Sequence, residues 1–341
     1  MKDRVIIIAE AGVNHNGDIS NAKKLIEAAA IAKADYVKFQ SFKAKDLVSP
    51  DAKKAEYQMA NTNDEGGNQF EMLQSLELSH QDHLALIEHC NKCDIKFMST
   101  AFDVEGLKYL QQFNLDFIKC PSGEITNYPY LKETAKQGRN VILSTGMSTL
   151  EDIGNALKVF LDNGLSADKI TVLHCNTEYP TPYSDVNLKA MNQIGEMFNV
   201  NVGYSDHTLG IEVPIAAVAL GANVIEKHFT LNRNMPGPDH QASLEPDELT
   251  DMVNGIRNVE LSISGTGVKS ISESESKNIN IARKSIHVNK QLKKGMQISE
   301  SDIIPLRPGD GISPMEWEEV IGKKLLRDIN PFEKLTWSDI E

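Results

Sequence analysis

The chain of 341 residues carries 48 acidic against 35 basic side chains, a formal net charge of −13, with 40% hydrophobic and 24% charged residues. That is too long for one average domain and suits a large barrel with a small appendix. The acidic balance argues against a nucleic-acid or anionic-membrane binder, yet leaves room for a small anion held by a few local lysines.

Chain order begins with an apolar run from Val5 to Ala9, too short for a signal peptide or a membrane span, and no later segment approaches one. Four cysteines, Cys90, Cys93, Cys120 and Cys175, follow no regular spacing. A lone C-x-x-C at Cys90 and Cys93 reads as free thiols rather than a zinc or redox site. The expectation is a cytoplasmic protein with reduced thiols.

Eight short β-rich runs follow one another: 5–10, 36–40, 95–100, 116–120, 140–145, 169–175, 201–206 and 222–228. Amphipathic stretches separate them, such as LEDIGNALKVFLDNG, which a glycine at Gly164 stops. Repeated strand–helix units predict an α/β fold, a (β/α)₈ TIM barrel, over residues 1–265. A doubly wound open sheet is the alternative, but no G-x-G-x-x-G follows the first strand. The polar interval 41–79 would lie on the catalytic face as a lid or substrate loop. After a helix at about 246–264 the pattern changes. Residues 266–282, rich in Ser, Gly and charge, read as a linker, and 283–341 as a small β-rich domain that needs a neighbour to dock on.

In such a barrel, chemistry sits at the carboxyl ends of the strands. These ends carry Glu10, Lys38, Gln40, Thr100, Lys119, Ser122, Glu124, Ser144, Ser205, Asp206, His207, Glu226 and His228. Lys38 and Lys119, with hydroxyls beside them, make a local anion site; a lone strand lysine would more often be a solvated edge residue. His207 and His228 are the candidate metal ligands, with Asp206, Glu226 and Asp239 nearby in sequence. Each histidine taken alone reads more readily as a hydrogen-bonded structural residue, and it is the pair that favours a metal. Two imidazoles would leave positions open for water and a substrate oxygen, and such a metal can polarise a carbonyl.

The segments IAEAGVNHNG, YVKFQ, STAFD, IKCPSGEITNYPYL, ILSTGMST, LHCNTEYPTPY, VGYSDHTLG and GANVIEKHFTL closely resemble the sialic acid synthase family. The tail resembles that family's antifreeze-like (SAF) domain through KKGMQISESDI and LRPGDGI. The resemblance implies a transferase that condenses phosphoenolpyruvate with the open-chain aldehyde of an N-acylated mannose-type sugar, with carbon–oxygen cleavage of the phosphoenolpyruvate. It implies a divalent metal, Mn²⁺ above Mg²⁺ or Co²⁺, on His207 and His228. Lys38, Thr100, Lys119, Ser122, Ser144 and Ser205 would hold phosphoenolpyruvate. Glu10, Gln40, Phe102, Glu124, Tyr179, Glu226 and Asp239 would serve the sugar or water, with Glu124 activating the water. It also implies a domain-swapped homodimer in which Arg307 of one chain reaches the sugar in the other. Where synthases of N-acetylneuraminate tend to show Asn-Ile-Tyr, this chain reads Thr177-Glu178-Tyr179. That departure favours 2,4-diacetamido-2,4,6-trideoxymannose over N-acetylmannosamine.

Three rival readings make different demands. A barrel acting on a sugar phosphate would need a second basic cluster, and a metal hydrolase would show H-x-H on the first strand, where this chain has Glu10 and a single His15. An ice-binding protein would not join its tail to a charged barrel mouth.

Overall fold

A computed structural model of the chain describes residues 4–49, 59 and 68–341. Most of the interval 50–67, the centre of the proposed lid, lies outside the described residues. The chain forms two compact units, the first ending at Gly265 and the second running from Thr266 to Glu341.

In the first unit eight parallel strands close into a barrel in sequence order. They are β1 (Ile6–Gly12), β2 (Tyr36–Ser41), β3 (Lys96–Ala101), β4 (Phe117–Cys120), β5 (Asn140–Ser144), β6 (Ile170–Cys175), β7 (Asn201–Asp206) and β8 (Val224–His228). The strands are rich in Val and Ile because both of their faces are buried. Ile8, Tyr36, Met98, Ile142, Leu173 and Val224 pack together in the barrel interior. Outward residues such as Ile7, Val37, Phe39 and Ile225 pack with the surrounding helices. The interior is therefore a packed plug, and the polar inward residues can only lie above it, at the carboxyl ends.

Local sequence rules set the helices. Thr149 and Asp152 form a capping box that starts the helix Leu150–Asp162, and Gly164, at φ +90°, follows its end. Ser79 and Asp82 do the same for His80–Lys92, which buries Cys90. All four cysteines are free thiols. No described helix is long and apolar enough to cross a membrane.

In the second unit, 266–282 is exposed except at Ile279 and contains two single-turn helices, Glu273–Ser276 and Ile279–Ala282. An antiparallel pair, β9 (Ser285–Val288) with β10 (Ile303–Leu306), then begins a turn-rich fold. Its core holds Ile286, Val288, Leu292, Ile298, Ile303, Ile312, Val320, Leu325, Ile329, Leu335 and Ile340. The small domain thus carries an apolar core of its own, which its scattered single Ile and Leu residues concealed.

Candidate active site

A cavity of about 520 Å³ opens at the carboxyl ends of the barrel strands. Register brings its charged residues together: Glu10 pairs with Lys38 on β2 and with His228 on β8, and Thr100 pairs with Lys119. Glu10, Lys38, Gln40, Thr100, Phe102, Lys119 and Ser122 line it on one side. Ser144, Tyr179, Ser205, His207, Glu226 and His228 complete the wall.

Four buried charges form its floor. Lys38 Nζ lies 2.8 Å from Glu10 Oε2 and 3.5 Å from Glu226 Oε2, and it donates to Thr100 Oγ1 at 3.1 Å. Lys119 Nζ lies 3.6 Å from Glu226 Oε1 and donates to Ser144 Oγ at 2.7 Å. Ser205 donates to Glu226 Oε1 at 3.1 Å, and Gln40 to Glu10 Oε1 at 3.3 Å. Burial pushes Glu10 up to about 7, aided by Glu226 and opposed by Lys38. For Glu226 burial also acts upward, but Lys119, Lys38 and His207 outweigh it and hold the carboxyl below its ordinary value. Burial disfavours charged Lys38, yet Glu10 and Glu226 together keep it above its ordinary value.

The imidazoles sit beside this quartet, with ring centroids 5.4 Å apart. Tyr179 packs 4.0 Å from the ring of His207 and 5.5 Å from that of His228. Burial lowers His207 to about 4 and His228 well below the ordinary histidine value, so both are neutral at pH 7. His207 Nδ1 donates to the Asn176 carbonyl, which directs the lone pair to Nε2. His228 Nδ1 is buried with no hydrogen-bond partner. Its nearest acid is Asp239, whose Oδ2 is 3.9 Å away and which burial raises to about 6.

These residues fit a divalent cation held by two neutral imidazoles. One ring has its tautomer fixed, and the other keeps an unmatched buried nitrogen. Among the described residues no group of three or more His, Cys, Asp or Glu converges to hold a metal. The remaining ligands would have to be water and substrate.

The structure does not bring every expected residue to the wall. Asp206 faces away from the imidazoles and pairs with Lys227. Glu124 is held in the turn Ser122–Glu124, where its Oε2 accepts from Asn127 at 2.5 Å, and burial raises its pKa. Asp239 lies behind His228 and outside the cavity lining. Arg307 belongs to the second unit, exposed, with Nε donating to the Ala282 carbonyl at 2.9 Å.

Thr177, read at the end of the sixth strand, also lines the cavity, as do Met147 and Cys175, which were not among the expected site residues. Met147 has φ +58° and is 76% exposed. Its signal was the Gly-Met pair just beyond a strand end. Gly146 before it is required, since a Cβ there would lie 2.4 Å from Thr177 Cγ2. A larger cavity, about 730 Å³, lies at the opposite end of the barrel around Arg4, Asp35, Tyr36 and Lys96, away from the histidines and the paired carboxylates.

Known proteins resemble this chain over nearly its whole length. The NeuB family model matches residues 25–269 and the SAF domain model residues 283–341. An N,N'-diacetyllegionaminic acid synthase of Campylobacter jejuni is 55% identical over 94% of this chain and 95% of its own. Its counterpart in Legionella pneumophila is 47% identical over 98% of this chain and 94% of its own. A crystal structure of N-acetylneuraminic acid synthetase from Leptospira borgpetersenii, in complex with citrate, matches with TM-score 0.71. It is 32% identical and covers 82% of this chain and 91% of that one.

Proposed function

The chain belongs to the NeuB family, and from that premise we propose that it is an N,N'-diacetyllegionaminate synthase. Phosphoenolpyruvate, 2,4-diacetamido-2,4,6-trideoxymannose and water would give the nine-carbon 2-keto acid and phosphate. The observation that carries the reading is the convergence of Lys38, Lys119, His207 and His228 on one cavity.

Lys38 and Lys119, with Thr100, Ser144 and Ser205, are the donors for the phosphate and carboxylate of phosphoenolpyruvate. When Glu10 carries a proton, two ammoniums face one carboxylate and the floor has net positive charge, which favours an anion. His207 and His228 would hold a divalent metal, Mn²⁺ in our reading, which when bound supplies Lewis-acid polarisation of the sugar aldehyde. The third carbon of phosphoenolpyruvate bonds to the aldehyde carbon, and water adds to the second carbon. Collapse of that adduct breaks the carbon–oxygen bond and releases phosphate. Glu10, on the wall with a pKa of about 7, is better placed than Glu124 to take the proton from water. Glu124 lies outside the wall with one carboxylate oxygen accepting from Asn127, so it is the less well placed of the two.

Thr177, Glu178 and Tyr179 at the cavity support the diacetamido sugar over N-acetylmannosamine. Phosphate release with the two sugars in competition tests this. At least about a tenfold preference in kcat/KM for the diacetamido sugar is expected, and equality or reversal overturns it. N-acetylneuraminate synthesis from N-acetylmannosamine is then the reading that remains.

We further place the reaction in the cytoplasm, where free thiols stay reduced, and in a domain-swapped homodimer. Exposure of Arg307 supports a role outside its own unit. Mixing two inactive proteins, Arg307→Ala and Lys119→Met, under subunit exchange should restore activity. A mixture that stays inactive rules out action across the interface.

A further inference from the structure

Two charges with no exposed surface take no part in the cavity wall. Asp206 ends β7, and Lys227 is the penultimate residue of β8. Strand alternation turns them away from the barrel interior, on the face opposite Ser205, Glu226 and His228. They are register partners, with Lys227 Nζ 2.5 Å from Asp206 Oδ2. The same ammonium donates to the Thr208 carbonyl. Thr208 in turn gives its backbone N–H to Asp206 Oδ1 at 3.1 Å and its hydroxyl to Oδ2 at 3.0 Å. His207 is therefore the apex of a turn that the Asp206 carboxylate closes. Lys227, the residue before His228, bolts both flanks of that turn to β8.

Stability alone gives weak reason for this arrangement. A dry ion pair is often matched or surpassed by apolar side chains of similar volume. His207 lies one residue beyond β7, past the last register pair with β8. Beyond the ladder His207 is held by its own bond to the Asn176 carbonyl, by the Thr181 N–H donating to its carbonyl at 2.9 Å, and by the ion pair that fixes both of its flanks.

We propose that Asp206 and Lys227 are positioning residues that fix His207 relative to His228 and so set how tightly the two imidazoles take a divalent cation. The cation part of this rests on the metal reading above. Outer residues of this kind change metal affinity by roughly ten- to a hundredfold.

The test combines Asp206→Leu with Lys227→Met in the full chain, freed of metal, so that neither charge is left alone. Mn²⁺ affinity, read from the paramagnetic resonance of the free ion, should weaken about ten- to a hundredfold. Phosphoenolpyruvate affinity without metal should stay within about twofold, because no residue holding it is altered. The ring-nitrogen resonances of His207 and His228 should shift or broaden in the metal-free variant. Mn²⁺ affinity within about twofold of native overturns the proposal, and so does equal weakening of Mn²⁺ and phosphoenolpyruvate, which marks general damage. Should the double variant not fold, Thr208→Val, which removes one hydrogen bond to the carboxylate, decides by the same readings with a smaller expected loss. Failure of the metal reading shows separately, as a native protein that takes up no Mn²⁺. The imidazole resonances then decide the positioning role, and unchanged resonances overturn it.

Discussion

The two ends of the barrel both pair lysine with carboxylate, and they do so to opposite effect. At the amino-terminal end Lys96 Nζ lies 2.6 Å from Asp116, with the two side chains 64% and 46% exposed. Lys96 and Tyr36 hold Asp116 below the ordinary carboxylate range. At the carboxyl end the side chains of Lys38 and Glu10 are only 4% and 2% exposed, and Glu10 is pushed up to about 7. A wet pair, with a tyrosine hydroxyl also donating to its carboxylate, settles into its charged form. In the dry pair, burial and a second carboxylate bring Glu10 to about 7 while Lys38 stays above its ordinary value. The smaller cavity is therefore the one equipped for chemistry, because poise rather than volume marks it.

The strongest way to break this contrast is to remove an imidazole. His228→Ala should lower turnover by at least about a hundredfold and abolish tight Mn²⁺ uptake, since it would take away one of the two proposed metal ligands. Full turnover in the variant would sink the metal site. Next in size, Lys119→Met should raise the KM for phosphoenolpyruvate roughly ten- to a hundredfold by removing a charge-assisted contact worth about 1.5–3 kcal/mol. Lys96→Met at the far end, an exposed pair, should leave KM within about twofold. A similar rise in both variants would erase the distinction between the ends.

The smallest effect concerns protons. Folding holds Glu10 at about 7 against 4.5 for an ordinary glutamate, so it favours the protonated form. The stability this group contributes is present in full below about pH 4.5 and is lost as pH rises to 7. Glu10→Gln removes that dependence. Between pH 5 and 8 the variant should gain on the native protein by on the order of 1–3 kcal/mol, seen as a moving gap in Tm. A constant gap would mean that Glu10 ionises normally.

Much of this site could be read before the structure, and the reason is periodicity. Alternation along YVKFQ and VIEKH places Lys38, Gln40, Glu226 and His228 inward, and barrel closure then brings them together. Residues beyond the strand ends were less legible. The bond from Glu124 to Asn127 and the place of Asp239 behind His228 depend on loop geometry that no period encodes. Lys227 is a different case. Set between Ile225 and Phe229 on an apolar outward face, it demanded a buried counterion, and Asp206 at the matching end of β7 was available. The second unit was underestimated because its core residues are spread singly among turns.

That ion pair also bears on how such a chain can diverge. Loss of either partner strands a charge in a site with no exposed surface, at about 3–5 kcal/mol. A domain is typically stable by only about 5–15 kcal/mol. A lineage that altered one residue first would pass through a form close to unfolding, so Asp206 and Lys227 should be inherited as a unit. In descendants of this sequence, a substitution at one of the two positions is expected to appear with a substitution at the other.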